Sequence, residues 1–227
     1  MTKPLRLVIF DVDGTLVDSQ HDILGAMTHA FEQAGLALPA REEVLGIVGL
    51  SLPVAMARLA PDAEAQVREQ LVAGYKEAYV ALRAKTGAAQ SSPLYPGALE
   101  VLEHLYARPD VLLGVATGKS RRGLDKLIEA HGLEKFFFTQ QVADFLPSKP
   151  HPSMILEAMQ ETGVTPERTV MIGDTSFDME MAAAANVHGI AVRWGYHPVS
   201  ALTGAAHLLD DFAALPRALS TLWSDFE

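Results

Sequence analysis

A short apolar run near the N-terminus, cut off by acidic residues, constrains the fold of this chain more than any other feature. Residues 7–10 read Leu-Val-Ile-Phe, and Asp-Val-Asp-Gly-Thr follows at residues 11–15. An uninterrupted apolar run is typical of a strand that is buried on both faces in a parallel sheet. Ligands of such sheets bind beyond the carboxyl ends of the strands. Asp11 and Asp13 are therefore expected at a ligand-binding edge.

The next seventy residues have a helical pattern. Ile23, Met27 and Phe31 recur at four-residue spacing, which predicts one buried helix face. Helices are predicted from about Gln20 to Gly35, after Pro39, from Ser51 to Pro61, and from Asp62 to Lys85. No strand pattern interrupts them, and residues 86–96 resemble a linker because they contain Gly, Ser and two prolines. The pattern predicts an all-helical insert.

After the linker, helices and strands alternate. Strands are predicted at residues 111–116, 169–172, 189–192 and 206–209, and a short apolar segment lies near Phe136. Such alternation predicts an α/β fold with a doubly wound, Rossmann-like parallel sheet. We expect a discontinuous catalytic core of residues 1–17 and 89–227, interrupted by a helical cap domain of residues 18–88.

Composition excludes several classes of function. A net charge of −10 argues against a nucleic-acid partner, which would demand clustered Lys and Arg. The chain has no cysteine, which excludes disulfides, thiolate zinc sites and cysteine nucleophiles and is compatible with a reducing cytoplasm. No stretch approaches the roughly 18 apolar residues of a membrane span. We expect a cytoplasmic protein without a membrane partner, and its oligomeric state stays open.

Polar residues follow the predicted strands in four separate segments. These are Asp11 with Asp13, Thr117-Gly118-Lys119, Lys149 before the helix that follows Pro152, and Gly173-Asp174-Thr175 with Asp178. The carboxyl ends of parallel strands meet at one edge of the sheet, so all four segments are expected to share one site. Any one of them could be a coincidence of structure, but four together indicate function.

The acidic residues predict a metal site. Carboxylates about 4 Å apart repel by roughly 4 kcal/mol at an effective dielectric constant near 20, and Asp174 adds to the repulsion between Asp11 and Asp13. A divalent cation would relieve it, and an all-oxygen site without His or Cys suits Mg²⁺. An Asp-x-Asp-Gly sequence by itself could also be a simple turn. A calcium loop fits less well, because the glycine comes too early and a strand precedes it.

Two further segments point to an anionic ligand. Lys149 lies in a proline-bracketed loop beside the predicted carboxylates, although an isolated lysine is usually a surface residue. Thr117-Gly118 precedes a helix N-terminus, where free amides and the helix dipole favour phosphate. Thr117 or Ser120 could instead be only a helix cap, and Asp174 and Asp178 could be only helix-start residues.

In order and spacing, these segments resemble the four motifs of the haloacid dehalogenase superfamily. The likeness spans nearly the whole chain and is strongest to phosphoglycolate-phosphatase-like enzymes with a helical cap after the first strand. Weaker cues are Gly-Leu-Ser-Leu at residues 49–52 and Trp-Gly-Tyr at residues 194–196.

The resemblance implies a Mg²⁺-dependent phosphatase that acts on a small phosphorylated metabolite such as 2-phosphoglycolate. Asp11 would form an aspartyl-phosphate, and Asp13 would serve as general acid and base. The implied metal ligands are Asp11, the backbone carbonyl of Asp13, and Asp174, with Asp178 in support. Phosphate oxygens would be bound by Thr117 and Gly118, and Lys149 would balance charge and orient Asp11.

Other activities on this scaffold stay open to different degrees. Dehalogenases of the superfamily lack an acid at the position of Asp13, and residues 46–53 lack the Schiff-base lysine of phosphonoacetaldehyde hydrolases. A phosphosugar mutase of the β-phosphoglucomutase type is an alternative, and a non-catalytic binding protein is a weaker one. Arg41, Arg58 and Lys76 are the cap cations considered, each expected on a solvated helix face.

Overall fold

The computed structural model describes residues 4–226, which form a six-stranded parallel sheet flanked by helices. The strand order is β3-β2-β1-β4-β5-β6. The strands are β1 (Arg6–Phe10), β2 (Val111–Thr117), β3 (Phe137–Val142), β4 (Thr169–Gly173), β5 (His188–Val192) and β6 (His207–Leu209). The predicted α/β, doubly wound fold class is confirmed.

Ten α-helices accompany the sheet in the described part of the chain, and six of them lie between β1 and β2, the first five before residue 92. These five are α1 (Gln20–Gln33), α2 (Arg41–Leu45), α3 (Leu52–Leu59), α4 (Ala65–Thr86) and α5 (Ala88–Ser91). The others are α6 (Ala98–Tyr106), α7 (Arg121–His131), α8 (Ser153–Thr162), α9 (Ser176–Ala184) and α10 (Leu215–Leu222). The predicted all-helical insert is therefore present.

Strand β1 owes its uninterrupted apolar sequence to its central place. It pairs with β2 on one side and with β4 on the other. Val8 and Phe10 pack into the larger apolar cluster on one face of the sheet, and Leu7 and Ile9 into the cluster on the opposite face. Both faces are covered, so every residue of the strand is buried.

Arg6 is the exception to the apolar pattern of β1, since this strand residue is charged and fully buried. Its guanidinium forms ion pairs with Asp110 and Asp225. It also lies 5.8 Å from the ring centroid of Trp223 and 5.4 Å from that of Phe226. Burial of this cation ties the first strand to the C-terminal segment.

The structure adds detail that the sequence pattern lacked. The apolar segment near Phe136 leads into the edge strand β3, and the predicted linker contains the short helix α5. Helix α4 begins at Ala65, three residues later than predicted. The boundaries of the core (1–17 and 89–227) and cap (18–88) stay a prediction, and residues 1–3 and 227 of that core lie outside the described residues.

The helical insert has an apolar core of its own, which includes Ile23, Met27, Phe31 and Leu71. The four-residue spacing that predicted α1 thus corresponds to its buried face. Within residues 4–226, no helix is long and apolar enough to cross a membrane.

Candidate active site

The four predicted segments meet at the carboxyl edge of the sheet. β1 lies between β2 and β4, so the residues that follow these three strands are neighbours. Ligand atoms of Asp11, Asp174 and Asp178 lie within 4.8 Å of one another, and all three residues are buried. Lys149 enters from the loop before α8, and its Nζ is 2.7 Å from Oδ1 of both Asp11 and Asp178.

Asp11 is 1% exposed, and its electrostatic environment disfavours the ionised form. Burial raises the pKa of Asp11 from 3.8 to about 7, although the Lys149 ammonium lowers it and the Asp178 charge adds to the increase. Its Oδ2 makes no hydrogen bond to any residue between Pro4 and Phe226. A buried carboxylate oxygen without a partner is costly, so this atom is available for a ligand.

Asp174 follows β4 and is held by groups from two other segments. Its Oδ1 accepts a hydrogen bond of 3.0 Å from Thr15 Oγ1, and its Oδ2 accepts one of 2.8 Å from the Tyr196 backbone N–H. A Cβ at Gly195 would overlap the Asp174 side chain, so only glycine permits this approach. Burial and the charges of Asp11 and Asp178 raise the pKa of Asp174 well above its usual range.

Asp178 combines the two roles that the sequence left open. It closes a capping box at the start of α9, where its Oδ2 accepts from the Thr175 N–H at 3.0 Å. The same oxygen accepts from Thr175 Oγ1 at 2.6 Å, and Oδ1 accepts from Lys149 Nζ at 2.7 Å. Both oxygens are thus engaged with protein groups, which leaves Asp178 in a supporting position.

The donor set fits the Mg²⁺ implied by the sequence. Three buried carboxylates converge without a His or Cys, and the unpartnered Oδ2 of Asp11 is one of their oxygens. Oxygen ligands of this kind are those that Mg²⁺ prefers. The Asp13 side chain belongs to no such group of acidic ligands among the described residues, so any contribution of Asp13 would come from its backbone carbonyl.

The Asp13 side chain is instead held by Lys119, which was expected at this edge of the sheet but had no predicted role. Lys119 Nζ lies 2.7 and 2.8 Å from the two carboxylate oxygens of Asp13, and Ser19 Oγ donates to Oδ1. Lys119 also donates to the Tyr79 hydroxyl of α4 at 3.2 Å. Asp13 is therefore linked through Lys119 to the helical insert. The only signal for Lys119 was its place next to Thr117-Gly118.

Thr117 and Gly118 lie where the carboxyl end of β2 meets the insert. Ser120 is the N-cap of α7 and accepts from the Gly123 N–H, so Thr117 is not the cap of that helix. A Cβ at Gly118 would come within 2.5 Å of the Gly49 carbonyl oxygen and 2.6 Å of the Leu50 carbonyl oxygen. Residues 46–53 of the insert thus pack directly on Gly118.

A cavity of about 780 Å³ lies between the insert and the sheet edge. Asp11, Asp13 and Thr117 line its inner end. The insert contributes an apolar and aromatic wall, which includes Ile23, Met27, Ile47, Val48, Tyr75 and Tyr79. The insert is held over the cavity by polar contacts, among them a 2.8 Å hydrogen bond from Ser51 N to Ser148 Oγ. The carboxylates thus face a partly enclosed space.

Comparison with known proteins identifies the family. A family model described as haloacid dehalogenase-like hydrolase matches residues 8–192. The chain belongs to the haloacid dehalogenase-like hydrolases. The probable phosphatase IndB of Dickeya dadantii is 33% identical over 97% of this chain and 95% of its own length. A phosphoglycolate phosphatase of Agrobacterium fabrum is 32% identical over 96% of this chain and 94% of its own length.

The solved structure of the haloacid dehalogenase-like family protein SP0104 from Streptococcus pneumoniae has a TM-score of 0.80 and 25% sequence identity. The alignment covers 95% of this chain and 98% of the Streptococcus pneumoniae chain. The predicted enzyme class, a haloacid dehalogenase-like hydrolase that resembles phosphoglycolate phosphatases, is confirmed.

Several polar groups in this haloacid dehalogenase-like site were not predicted from sequence as parts of it. Thr15 and Ser19 hold Asp174 and Asp13, and Tyr196 donates to Asp174 from the Trp-Gly-Tyr segment that had served only as a family cue. The three cap cations considered from sequence, Arg41, Arg58 and Lys76, are all exposed. Of these three, Lys76 lines the cavity. Arg83 also lines it and had not been considered.

Proposed function

We propose that this enzyme is a Mg²⁺-dependent phosphomonoester hydrolase that works through an aspartyl-phosphate on Asp11. The observation that carries the proposal is the Asp11 carboxylate, which has an unpartnered Oδ2 and lies at the inner end of the cavity. A second carboxylate, Asp13, is held separately by Lys119 and Ser19 two residues further on. A nucleophile and a distinct acid–base group are what two-step phosphoryl transfer requires.

In the first step, a carboxylate oxygen of Asp11 attacks phosphorus and the bond to the leaving oxygen breaks. Asp13 donates its proton to that oxygen, so the product leaves as an alcohol. In the second step, Asp13 takes a proton from water, whose oxygen attacks phosphorus and releases inorganic phosphate and free Asp11. Asp13 must therefore be protonated before the first step. Its contact with the Lys119 ammonium must be weakened while the carboxylate carries that proton.

Other residues position and neutralise the phosphoryl group. We assign Lys149 to orient Asp11, since its ammonium also contacts Asp178 and is fully buried. We assign the Thr117 hydroxyl and the Gly118 amide to the phosphate oxygens. Mg²⁺, when bound by Asp11, Asp174 and the Asp13 carbonyl with Asp178 in support, would supply positive charge to the transferring group.

The insert supports a hydrolase that acts on small metabolites. It covers the carboxylates, so a bound phosphate ester would react in a space with little bulk water. Residues 46–53 contain no charged side chain, which favours hydrolysis over transfer between two phosphorylated positions of a sugar. The name of the Agrobacterium relative makes 2-phosphoglycolate a substrate to test. A cytoplasmic location and the lack of a nucleic-acid partner stay predictions.

The test is hydrolysis of an aryl phosphate with and without Mg²⁺ by wild type and an Asp11→Asn variant. The variant keeps the shape of Asp11 but not its nucleophilic oxygen, and we expect kcat to fall by at least about a thousandfold. Asp62→Asn, an exposed substitution in the insert, is the matched control and should retain wild-type activity. Activity that persists in Asp11→Asn would exclude the aspartyl-phosphate mechanism.

A further inference from the structure

Arg83, near the end of α4, has two guanidinium nitrogens without a hydrogen-bond partner among the described residues. Its Nε and Nη2 are buried, and neither makes a hydrogen bond to any residue in the range 4–226. Its Cζ lies over the Tyr79 ring, 5.3 Å from the ring centroid, which is a cation–π distance. The aromatic ring provides no acceptor for Nε and Nη2, and a buried N–H without an acceptor is costly.

The electrostatic surroundings of Arg83 increase this cost. Lys119 Nζ lies 5.4 Å from the centroid of the same Tyr79 ring, so two cations share one aromatic side chain. Lys119 has Asp13 as its partner, whereas Arg83 forms no ion pair with a described carboxylate. An anion placed beside Arg83 would therefore remove both the missing acceptor and part of the repulsion.

Arg83 lines the same cavity as Asp11 and Asp13, on the wall that α4 contributes. Besides Lys119, the basic lining residues are Lys76, Arg83, Arg122 and Lys126, and the acidic one apart from Asp11 and Asp13 is Asp144. The Oδ2 of Asp144 already accepts a hydrogen bond of 2.7 Å from the Arg121 backbone N–H. Basic residues thus outnumber acidic ones in the lining of this cavity, in a chain whose net charge is −10.

The volume and the lining of the cavity indicate the size and character of the ligand that it can hold. A volume of about 780 Å³ falls within the roughly 300–1,000 Å³ of sites that hold drug-sized ligands. Tyr75 and Tyr79 stack with ring centroids 5.7 Å apart and form part of an otherwise aliphatic wall. A two-carbon phosphate ester would leave most of this space unfilled.

We propose that Arg83 determines specificity by binding a second anionic group of the substrate, separate from the reacting phosphate. The substrate class is then an elongated phosphomonoester with an apolar middle and a distal carboxylate or phosphate. The guanidinium binds this group through Nε and Nη2, the fork that suits a planar or tetrahedral oxyanion. The proposal rests on the proposed function, because it takes the Asp11 end as the phosphate end.

A purely structural role for Arg83 makes a different prediction. Asp22 of α1 is buried with an unpartnered Oδ2, and its charge and that of Arg83 both act on Tyr75. If Arg83 served only to balance Asp22 across the insert, its loss would weaken all ligands alike. Binding of a second anion instead predicts that the loss is confined to ligands that carry that anion.

The experiment measures binding of two non-hydrolysable ligands by calorimetry in Mg²⁺. Hexylphosphonic acid and phosphonohexanoic acid share the phosphonate and a chain of similar length, and they differ by the terminal carboxylate. We expect wild type to bind the carboxylate-bearing ligand about 10- to 100-fold more tightly, which is the range for a hydrogen bond to a charged group. In Arg83→Gln the ratio of the two affinities should fall towards one.

Lys85→Gln is the matched control, because Lys85 lies two residues further on the same helix and lines a separate groove. It should leave the ratio as in wild type. A wild-type ratio near one, or a ratio that is unchanged in Arg83→Gln, would overturn the proposal, and the first outcome does so even if the variant fails to fold. Because binding is measured without turnover, these outcomes are independent of the Asp11→Asn result.

Discussion

Replacement of Lys149 by methionine should destabilise the metal-free protein in a way that depends strongly on pH. The Lys149 side chain is fully buried, and its ammonium contacts both Asp11 and Asp178. Methionine has a similar length and no charge, so the substitution removes the cation and largely preserves the packing. The expected loss therefore reports the charge balance of the site.

The magnitude follows from the distances. At 2.7 Å and an effective dielectric constant near 20, each Lys149–carboxylate contact is worth about 6 kcal/mol of attraction before desolvation. Carboxylates 4.8 Å apart repel by about 3.5 kcal/mol on the same basis. Desolvation of the ammonium offsets much of the attraction, and loss of one partner of a buried ion pair typically costs 3–5 kcal/mol. We expect a loss of about that size at pH 8.

The sign of the pH dependence follows from the Asp11 pKa. Its folded value of about 7 exceeds the unfolded value of 3.8, so stability from this group is present at low pH and is lost as pH rises through 7. Without Lys149 the carboxylate loses the cation that lowers its pKa, and the folded pKa rises further. The deficit of the variant relative to wild type is thus smaller at pH 5, where Asp11 is protonated and only the contact with Asp178 is lost, than at pH 8, where both contacts are lost.

Urea denaturation of both proteins at pH 5 and pH 8, with a chelator present, measures these differences. Added Mg²⁺ should reduce the deficit at pH 8, because it supplies positive charge to the same carboxylates. Lys126→Met is the control, since Lys126 forms an exposed ion pair with Glu129 and should not change the midpoint. An equal loss of stability at both pH values would refute the electrostatic explanation and indicate a packing defect.

Two further substitutions test the fold around the site. Gly118→Ala should displace the insert loop, because its Cβ would overlap the Gly49 and Leu50 carbonyl oxygens. We expect kcat/KM for an aryl phosphate to fall about tenfold or more. Unchanged kinetics would show that the loop adapts freely. Arg6→Leu should lower the free energy of unfolding by about 3–5 kcal/mol, because buried Asp110 loses its main partner. Urea denaturation measures this loss. A smaller loss would mean that Arg108 alone satisfies Asp110.

The sheet edge and its acidic cluster could be predicted because parallel topology fixes them. Once β1, β2 and β4 are identified, the residues after them must be neighbours, whatever the loops do. Asp11, Thr117 and Asp174 needed no further information. Lys149 is less constrained by topology, and its position was inferred from the charge that the carboxylates require.

The cap-facing side of the site could not be predicted, for a physical reason. Whether Lys119 contacts Tyr79 and whether Arg83 lines the cavity depend on how the insert docks on the core, which no local pattern encodes. Periodicity shows which face of α4 is apolar, but an arginine at its margin looks the same whether it faces water or a cavity. The burial of Arg6 could not be predicted for a similar reason, because its ion-pair partners lie more than one hundred residues away in the sequence.

Charge balance is the physical reason to expect that this acidic chain needs a metal to accept a phosphate. When fully ionised, the carboxylates of Asp11, Asp13, Asp174 and Asp178 outnumber by two the ammonium groups of Lys119 and Lys149 that pair with them. A phosphate dianion would be repelled from this net negative charge. One divalent cation would bring the sum of these charges to zero, and the guanidinium of Arg83 would then supply attraction elsewhere in the cavity. Binding of phosphate should therefore require Mg²⁺, whereas attraction of the distal anion should not.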